Sequence, residues 1–229
     1  MKKYILAVLL FSSYALAQSS ICNNGANYQN TLPKVQYNQE VCFKEYSVLY
    51  NYSYKIPMVS SEHLTAQEVA ESETIGRKNS FHVESTIPVP YESKPKDYAH
   101  TGYDLGHMTP AGDMGNYSTE FETFSLSNMT PQNPKLNRVT WRKIENIVRT
   151  DAKKYNEVYV VTGSIVNDQS KVLTDGIKIP DDIFKAIYIP STKSTSVFVA
   201  PNDSSETYKI LTLSQFEQQY KINPFPSLN

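Results

Sequence analysis

The sequence predicts an α+β domain. Three observations carry that expectation: strand-like stretches occupy the early and late parts of the chain, one strongly amphipathic helix separates them, and no regular strand–helix alternation appears. Residues 46–56, YSVLYNYSYKI, alternate aromatic and β-branched side chains and read as a strand. After Pro134, the run KLNRVTWRKIENIVRTDAKKY places Trp141, Ile144, Val148 and Tyr155 at helical spacing, with Ile147 beside them and Asn137 at or near the start. Residues 157–161, EVYVV, read as a buried strand ended by Thr162-Gly163. Residues 185–190 and 195–200 read as two more strands around a Ser/Thr/Lys turn.

The flanking segments follow from composition. Residues 1–17, MKKYILAVLLFSSYALA, have the basic start, apolar middle and Ala-Leu-Ala ending of a secretory signal peptide, with cleavage expected before Gln18. A lipoprotein signal at Cys22 is the rival, but Ile21 is bulky where that processing wants a small residue. No later segment approaches membrane-spanning length, so no membrane anchor and a secreted or periplasmic location are expected. The Asn-, Gln- and Ser-rich residues 18–40 read as a loosely packed opening to an N-terminal lead-in spanning 18–44. The remaining 45–229 form one domain, a length sufficient for a core of its own. Residues 80–102, with Pro88, Pro90 and Pro95, read as an irregular surface loop of the kind that supplies sites.

Cys22 and Cys42 are the only cysteines, and export favours a bridge between them. Closing that loop would contribute roughly 3 kcal/mol on a chain-entropy basis. Without Lys2 and Lys3, 20 basic residues face 23 acidic ones. That balance is not the footprint of a general polyanion binder, so any basic site is local.

Two segments hold candidate chemistry. In Tyr103–Asp113, YDLGHMTPAGD, an Asp precedes one of only four histidines by three residues, with a Gly between them. An imidazole can take a proton near neutral pH, and a nearby carboxylate can orient it or a metal-bound water. Gly106 would allow a tight or left-handed backbone there. The plainer alternative is a turn with an exposed His. In Ser127–Arg149, Asn128, Asn133 and Asn137 offer amide oxygens, and Glu145 and Arg149 stand four apart on a helix. Mg2+ needs few protein ligands because it keeps several waters. Helix capping and an ordinary i,i+4 ion pair would explain the same residues without a metal.

Taken together, DLGHMTPAGD and SNMTPQNPKLNRVTWRKIE resemble the DNA/RNA non-specific endonuclease family, the ββα-metal nucleases. Weaker similarity includes GRKNSF at 76–81, YVVTGSI at 159–165 and IPDDIFKAIYI at 179–189. The resemblance implies a central antiparallel sheet flanked by helices around a ββα-metal core, and makes 45–229 the nuclease domain. It implies Mg2+ as cofactor, with Mn2+ able to substitute, DNA and RNA as substrates, 5′-phosphate ends, and a homodimer as one candidate assembly. An inhibitor protein is a further candidate partner of unknown identity.

Carried over by position, His107 is the general base and Asn137 the metal ligand. Asp104 and Glu145 support metal-bound water or the local hydrogen bonds, and Asn128 supports the site. Arg77 and Arg149 would be phosphate or transition-state contacts, with Arg138 a lower-ranked phosphate contact. Leu105 departs from the pattern, since the family usually has Arg there, and Leu cannot fork onto a phosphate. That departure motivates an alternative, a weakened nuclease-like module that binds nucleic acid or a partner; a phosphodiesterase for small or lipid substrates is another. His63 sits in a polar stretch ahead of a short helix. His82 and His100 flank the Pro-rich loop, and a zinc pair of His100 with His107 lacks further ligands at usual spacing.

Overall fold

The computed structural model describes residues 18–167, 169–173 and 175–228, so the leader expected at 1–17 lies outside the described residues. The strands are β1 (Gln39–Cys42), β2 (Tyr46–Asn51), β3 (Ile56–Thr65), β4 (Asp104–His107), β5 (Met129–Gln132), β6 (Glu157–Ile165), β7 (Asp182–Ile189), β8 (Ser194–Pro201) and β9 (Lys209–Leu211). The helices are α1 (Ala66–Ser72), α2 (Pro95–Tyr98), α3 (Tyr117–Thr123), α4 (Arg142–Tyr155) and α5 (Leu213–Tyr220). Seven strands form one sheet in the order β1-β2-β3-β6-β7-β8-β9, and β4 and β5 form a separate ribbon. Every pairing between these strands is antiparallel. The α+β expectation with a central antiparallel sheet holds.

Residues 46–56 are not one strand. The Asn51 side chain accepts from the Tyr54 amide (3.0 Å), and Lys55 turns with φ 54°, so β2 folds back into β3. Because side chains alternate along a strand, the sheet has two distinct faces. Leu64 of β3, Val158 and Val160 of β6, and Ile183 and Ile187 of β7 point one way, beneath α1 and α4. Val59, Val161, Phe184, Ala186 and Tyr188 point the other way, beneath α5 and part of the lead-in.

The predicted central helix is present, with its start refined. Asn133 caps it by accepting from the Lys135 amide (2.9 Å), and Pro134 sits at the first helical position. Residues Leu136–Trp141 are wound as a π-helix before α4 proper begins, which places Asn137 about one turn inside rather than at the cap. Trp141, Ile144, Val148 and Ala152 are buried against the sheet. Each of the larger ones contributes roughly 1.5–3 kcal/mol on burial. Ile147 is instead exposed at the rim of that stripe.

The lead-in is not loosely packed. Cys22, Ala26 and Leu32 are buried, and the Cys22–Cys42 disulfide ties the segment to the edge strand β1. His63, read as lying in a polar stretch, is on β3 with Glu157 at 2.6 Å, its ring stacked on Tyr159. Among the described residues no helix is long and apolar enough to cross a membrane.

Candidate active site

The segment read as a loop or turn around His107 is strand β4, paired Asp104↔Gln132 through His107↔Met129. Gly106 is needed here for space. A Cβ on it would sit 2.2 Å from Gln132 Cδ, and its backbone is not left-handed. The ribbon is docked on the α4 side of the sheet, where Thr109 and Ser60 of β3 share a hydroxyl hydrogen bond of 2.6 Å. Below it, the buried Lys185 of β7 donates to Thr162 Oγ1 (2.5 Å) and lies 3.5 Å from the carbonyl of Met108.

This docking builds a cleft of about 640 Å3 whose wall includes Arg77, His107, Asn137, Arg138, Glu145 and Arg149. Thus the imidazole and the amide, thirty positions apart in sequence, open on one space. His107 is buried, edge-to-face against Phe124 (centroids 4.8 Å apart) and tilted against Phe81 (5.9 Å). Its Nε2 has no hydrogen-bond partner among the described residues. Burial first, then the Arg77 charge, pushes its pKa down to about 3. The imidazole is therefore neutral through the physiological range.

Asp104, on the same strand as His107, fastens Asn137 and Arg138 of the cleft wall. Its Oδ2 accepts from Asn137 Nδ2 (2.9 Å) and Arg138 Nε (2.8 Å), and its Oδ1 accepts from Arg138 Nη2 (2.6 Å). Burial alone would raise this carboxyl, but Arg138 and Asn137 outweigh it and hold it below its ordinary value. An ionised carboxylate only accepts, so it binds the amide nitrogen of Asn137 and leaves the amide oxygen to face elsewhere.

Glu145 and Arg149 both reach the cleft, but their mutual contact is loose at 3.8 Å. The firm partners of Arg149 are Asp113 Oδ1 (2.6 Å) and Asn146 Oδ1 (2.9 Å). Gly112 makes room, since a Cβ there would meet Arg149 Nη2 at 2.9 Å. Burial pushes the Glu145 carboxyl up to about 7, with Lys185 and Arg149 opposing and Asp113 adding to the rise. Arg77 donates to Asn79 (2.9 Å) and stands 5.2 Å from the Phe124 ring centroid.

Asn128 does not line the cleft. It is fully buried, donates to the carbonyls of Thr109 and Thr123 (both 2.9 Å), and accepts from the Thr109 amide (3.0 Å). Its role in this structure is to fasten the chain just beyond His107. His100 lines a different groove, so the structure does not bring it together with His107 as a zinc pair. Among the described residues, Cys22, Glu40 and Cys42 form the one close group of three His, Cys, Asp or Glu ligand atoms, and its two sulfurs are bonded to each other.

The sequence matches the DNA/RNA non-specific endonuclease family over residues 23–226. The chain belongs to that family. Nuclease C1 of Cunninghamella echinulata var. echinulata is 30% identical over 185 residues, covering 74% of this chain and 73% of that protein. The mitochondrial nuclease of Saccharomyces cerevisiae is 33% identical over 191 residues, 72% of this chain and 57% of its own length. Nuclease EXOG, mitochondrial, of Danio rerio is 31% identical over 172 residues, 67% of this chain but 49% of that protein. The crystal structure of the EndoG/EndoGI complex, which concerns EndoG inhibition, matches with a TM-score of 0.77 at 27% identity, covering 86% of this chain and 89% of that one.

Within this endonuclease-family chain, sequence reasoning left several contributors unassigned. Asp113 was visible only as part of a motif, and its hold on Arg149 is a contact between segments 36 positions apart. Phe81 and Phe124 come from separate loops. Glu62 and Lys185 come from neighbouring regions of the sheet and are both almost completely buried. An ionic residue inside an apolar strand pattern was the available signal for those two, as in IPMVSSEHLT and DIFKAIYI.

Proposed function

We propose that the protein is an exported, Mg2+-dependent endonuclease that hydrolyses phosphodiester bonds in DNA and RNA. The observation that carries this reading is one cleft holding a neutral imidazole with an unpartnered Nε2 and an asparagine amide whose nitrogen is already engaged by Asp104. Neutral His107 accepts a proton from a water molecule through Nε2. The hydroxide so formed attacks phosphorus, the P–O3′ bond breaks, the departing oxygen takes a proton from solvent to become a 3′-hydroxyl, the imidazolium returns its proton to solvent, and the other product carries a 5′-phosphate. Phe81 and Phe124 pack against the imidazole and fix its direction.

The donors suit a hard divalent ion, because amide and carboxylate oxygens line the cleft and no thiol or second imidazole does. Asn137 Oδ1 would hold Mg2+, or Mn2+ in its place, and Glu145 would hold its waters. When bound, the ion supplies charge stabilisation to the phosphate and to the departing oxygen. Arg77 and Arg149 neutralise phosphate oxygens from the cleft wall. Contacts to phosphate report no base identity, which fits non-specific cleavage.

Residues 1–17 would act as an export leader, 18–44 as a stapled lead-in and 45–229 as the nuclease domain. The Cys22–Cys42 disulfide supports an oxidising destination, and a homodimer is the assembly the family resemblance favours. N-terminal sequencing of the exported species should begin at Gln18, and an intact Met1 would refute the leader. Digestion of plasmid and RNA with and without EDTA, by wild type and His107→Ala side by side, tests the activity. Metal-independent cutting, or undiminished cutting by His107→Ala, would refute the mechanism. A gel shift without cutting by wild type would leave the binding-module alternative.

A further inference from the structure

We propose that Arg142, with Arg138 one turn before it, forms a phosphate rail along the central helix that grips the substrate strand beyond the reacting phosphate. The rail supplies the grip that Leu105 cannot, and the proposal rests on the nuclease reading. Leu105 lies in the cleft wall, opposite Pro131 of the partner strand, so that side of the site offers apolar surface. The chain as a whole carries a formal charge of −1, so attraction for a polyanion has to come from local cations.

The arginines of the cleft differ in how far they are committed. Arg149 is held by Asp113, Arg77 by Asn79 and Arg138 by Asp104. Arg142 lines the same cleft and is exposed, and its side chain has no hydrogen bond, ion pair or ring contact among the described residues. Arg138 is fixed differently. Asp104 takes its Nε and Nη2, and Nη1 has no partner among the described residues on a side chain that is 68% exposed. One guanidinium is thus pre-aimed and its neighbour is free to adapt.

Their spacing fits a strand laid along the helix. Arg142 opens α4 and Arg138 lies four residues earlier in the π-wound Leu136–Trp141, and both side chains line the cleft. Two guanidinium groups so placed would reach nearby phosphates of one strand. Asn137 directly precedes Arg138 on this helix and Glu145 and Arg149 follow Arg142, so the rail runs beside the reacting centre in the same cleft. A substrate long enough to bridge the rail and the reacting centre gains contacts that a dinucleotide cannot make.

The test measures binding of a labelled DNA duplex to His107→Ala protein, with Mg2+ present, across a salt series. Adding Arg142→Ala should weaken binding about tenfold and lower the slope of log affinity against log salt by about one. Arg142→Lys should keep the slope. In enzyme with His107 restored, Arg142→Ala should raise KM for long DNA much more than it lowers kcat, and should narrow the KM gap between long DNA and a dinucleotide. An unchanged salt slope in a folded Arg142→Ala protein would overturn the rail. So would an equal loss on the dinucleotide, which would place Arg142 in the chemistry. Failure of wild type to cut plasmid would sink the nuclease reading separately, while the binding series would still report on the rail.

Discussion

The two faces of the central sheet are built from the same strands and do different work. On the face under α5, Phe184, Ala186 and Tyr188 pack with Leu213 and Phe216, and no buried charge interrupts them among the described residues. On the face under α4, the same alternation delivers Glu62 and Lys185 among the apolar side chains, both nearly inaccessible. Burial, together with the Asp113 charge, drives the Glu62 carboxyl well above its ordinary range, while Lys185 and Arg149 oppose that rise. Lys185 also touches the carbonyl next to His107 and lies 5.7 Å from the Trp141 ring centroid. The comparison teaches that one face supplies cohesion, while the other gives up apolar packing to hold the His107 ribbon and the Glu145 helix in register.

The largest effect that could break this division is catalytic. His107→Ala should lower kcat by about 10²–10⁴-fold with the fold retained. Phe216→Ala should leave kcat near wild type at temperatures where the protein stays folded. Plasmid cleavage beside thermal melts would expose any crossover between the two.

Stability comes next. Phe216→Ala should cost about 3–5 kcal/mol through the cavity it leaves. Lys185→Met should cost a similar amount for a different reason, because it removes the buried ammonium that donates to Thr162 and the Met108 carbonyl and opposes the rise of the Glu62 and Glu145 carboxyls. Adding Glu62→Gln to Lys185→Met should recover part of that loss but none of the Phe216→Ala loss. Urea unfolding measures all of these, and a neutral Lys185→Met would remove the electrostatic half of the contrast.

Acid and base should then reveal two opposing linkages within the site itself. The folded pKa of His107 is depressed, so its contribution is present above the ordinary histidine value near 6.5 and is lost as pH falls toward about 3. The folded pKa of Glu145 is raised, so its contribution is full below 4.5 and is lost as pH rises through about 7. His107→Phe should therefore flatten the acid side of the stability profile, and Glu145→Gln the side rising to neutrality, each by a few kcal/mol. Matching profiles for wild type and both variants would contradict the burial that produces these shifts.

The smallest effect concerns grip. Leu105→Arg should raise affinity for nucleic acid several-fold at low salt and less at high salt, because the added contact is a screened phosphate pair. Unchanged or weaker binding across the series would show that the cleft has no use for a cation at that position.

Much of this was legible in the chain. The helical spacing of Trp141, Ile144 and Val148 and the alternation in the late strands gave the right elements, and the pair of motifs gave His107, Asn137 and Glu145 as neighbours of one cleft. Asn128, read as supporting the site, is a buried fastener of Thr109 and Thr123 rather than a wall residue. The strand at Asp104–His107 was hidden because its partner lies at Met129–Gln132, and a four-residue stretch has too little periodicity to declare itself. Burial of the lead-in was hidden because its polar composition says nothing about the sheet it packs on.

By itself, then, the sequence determined the kinds of element, the candidate bridge between Cys22 and Cys42, and the residues able to move a proton or hold an ion. These properties reside in single side chains or in neighbours a few positions apart. Tertiary structure alone decided that His107 is buried and neutral, that Arg149 answers to Asp113 rather than first to Glu145, and that the amide of Asn137 is turned by Asp104. Desolvation and ion pairing are sums over whatever the fold brings within a few ångströms, and here those neighbours arrive from segments that are remote along the chain.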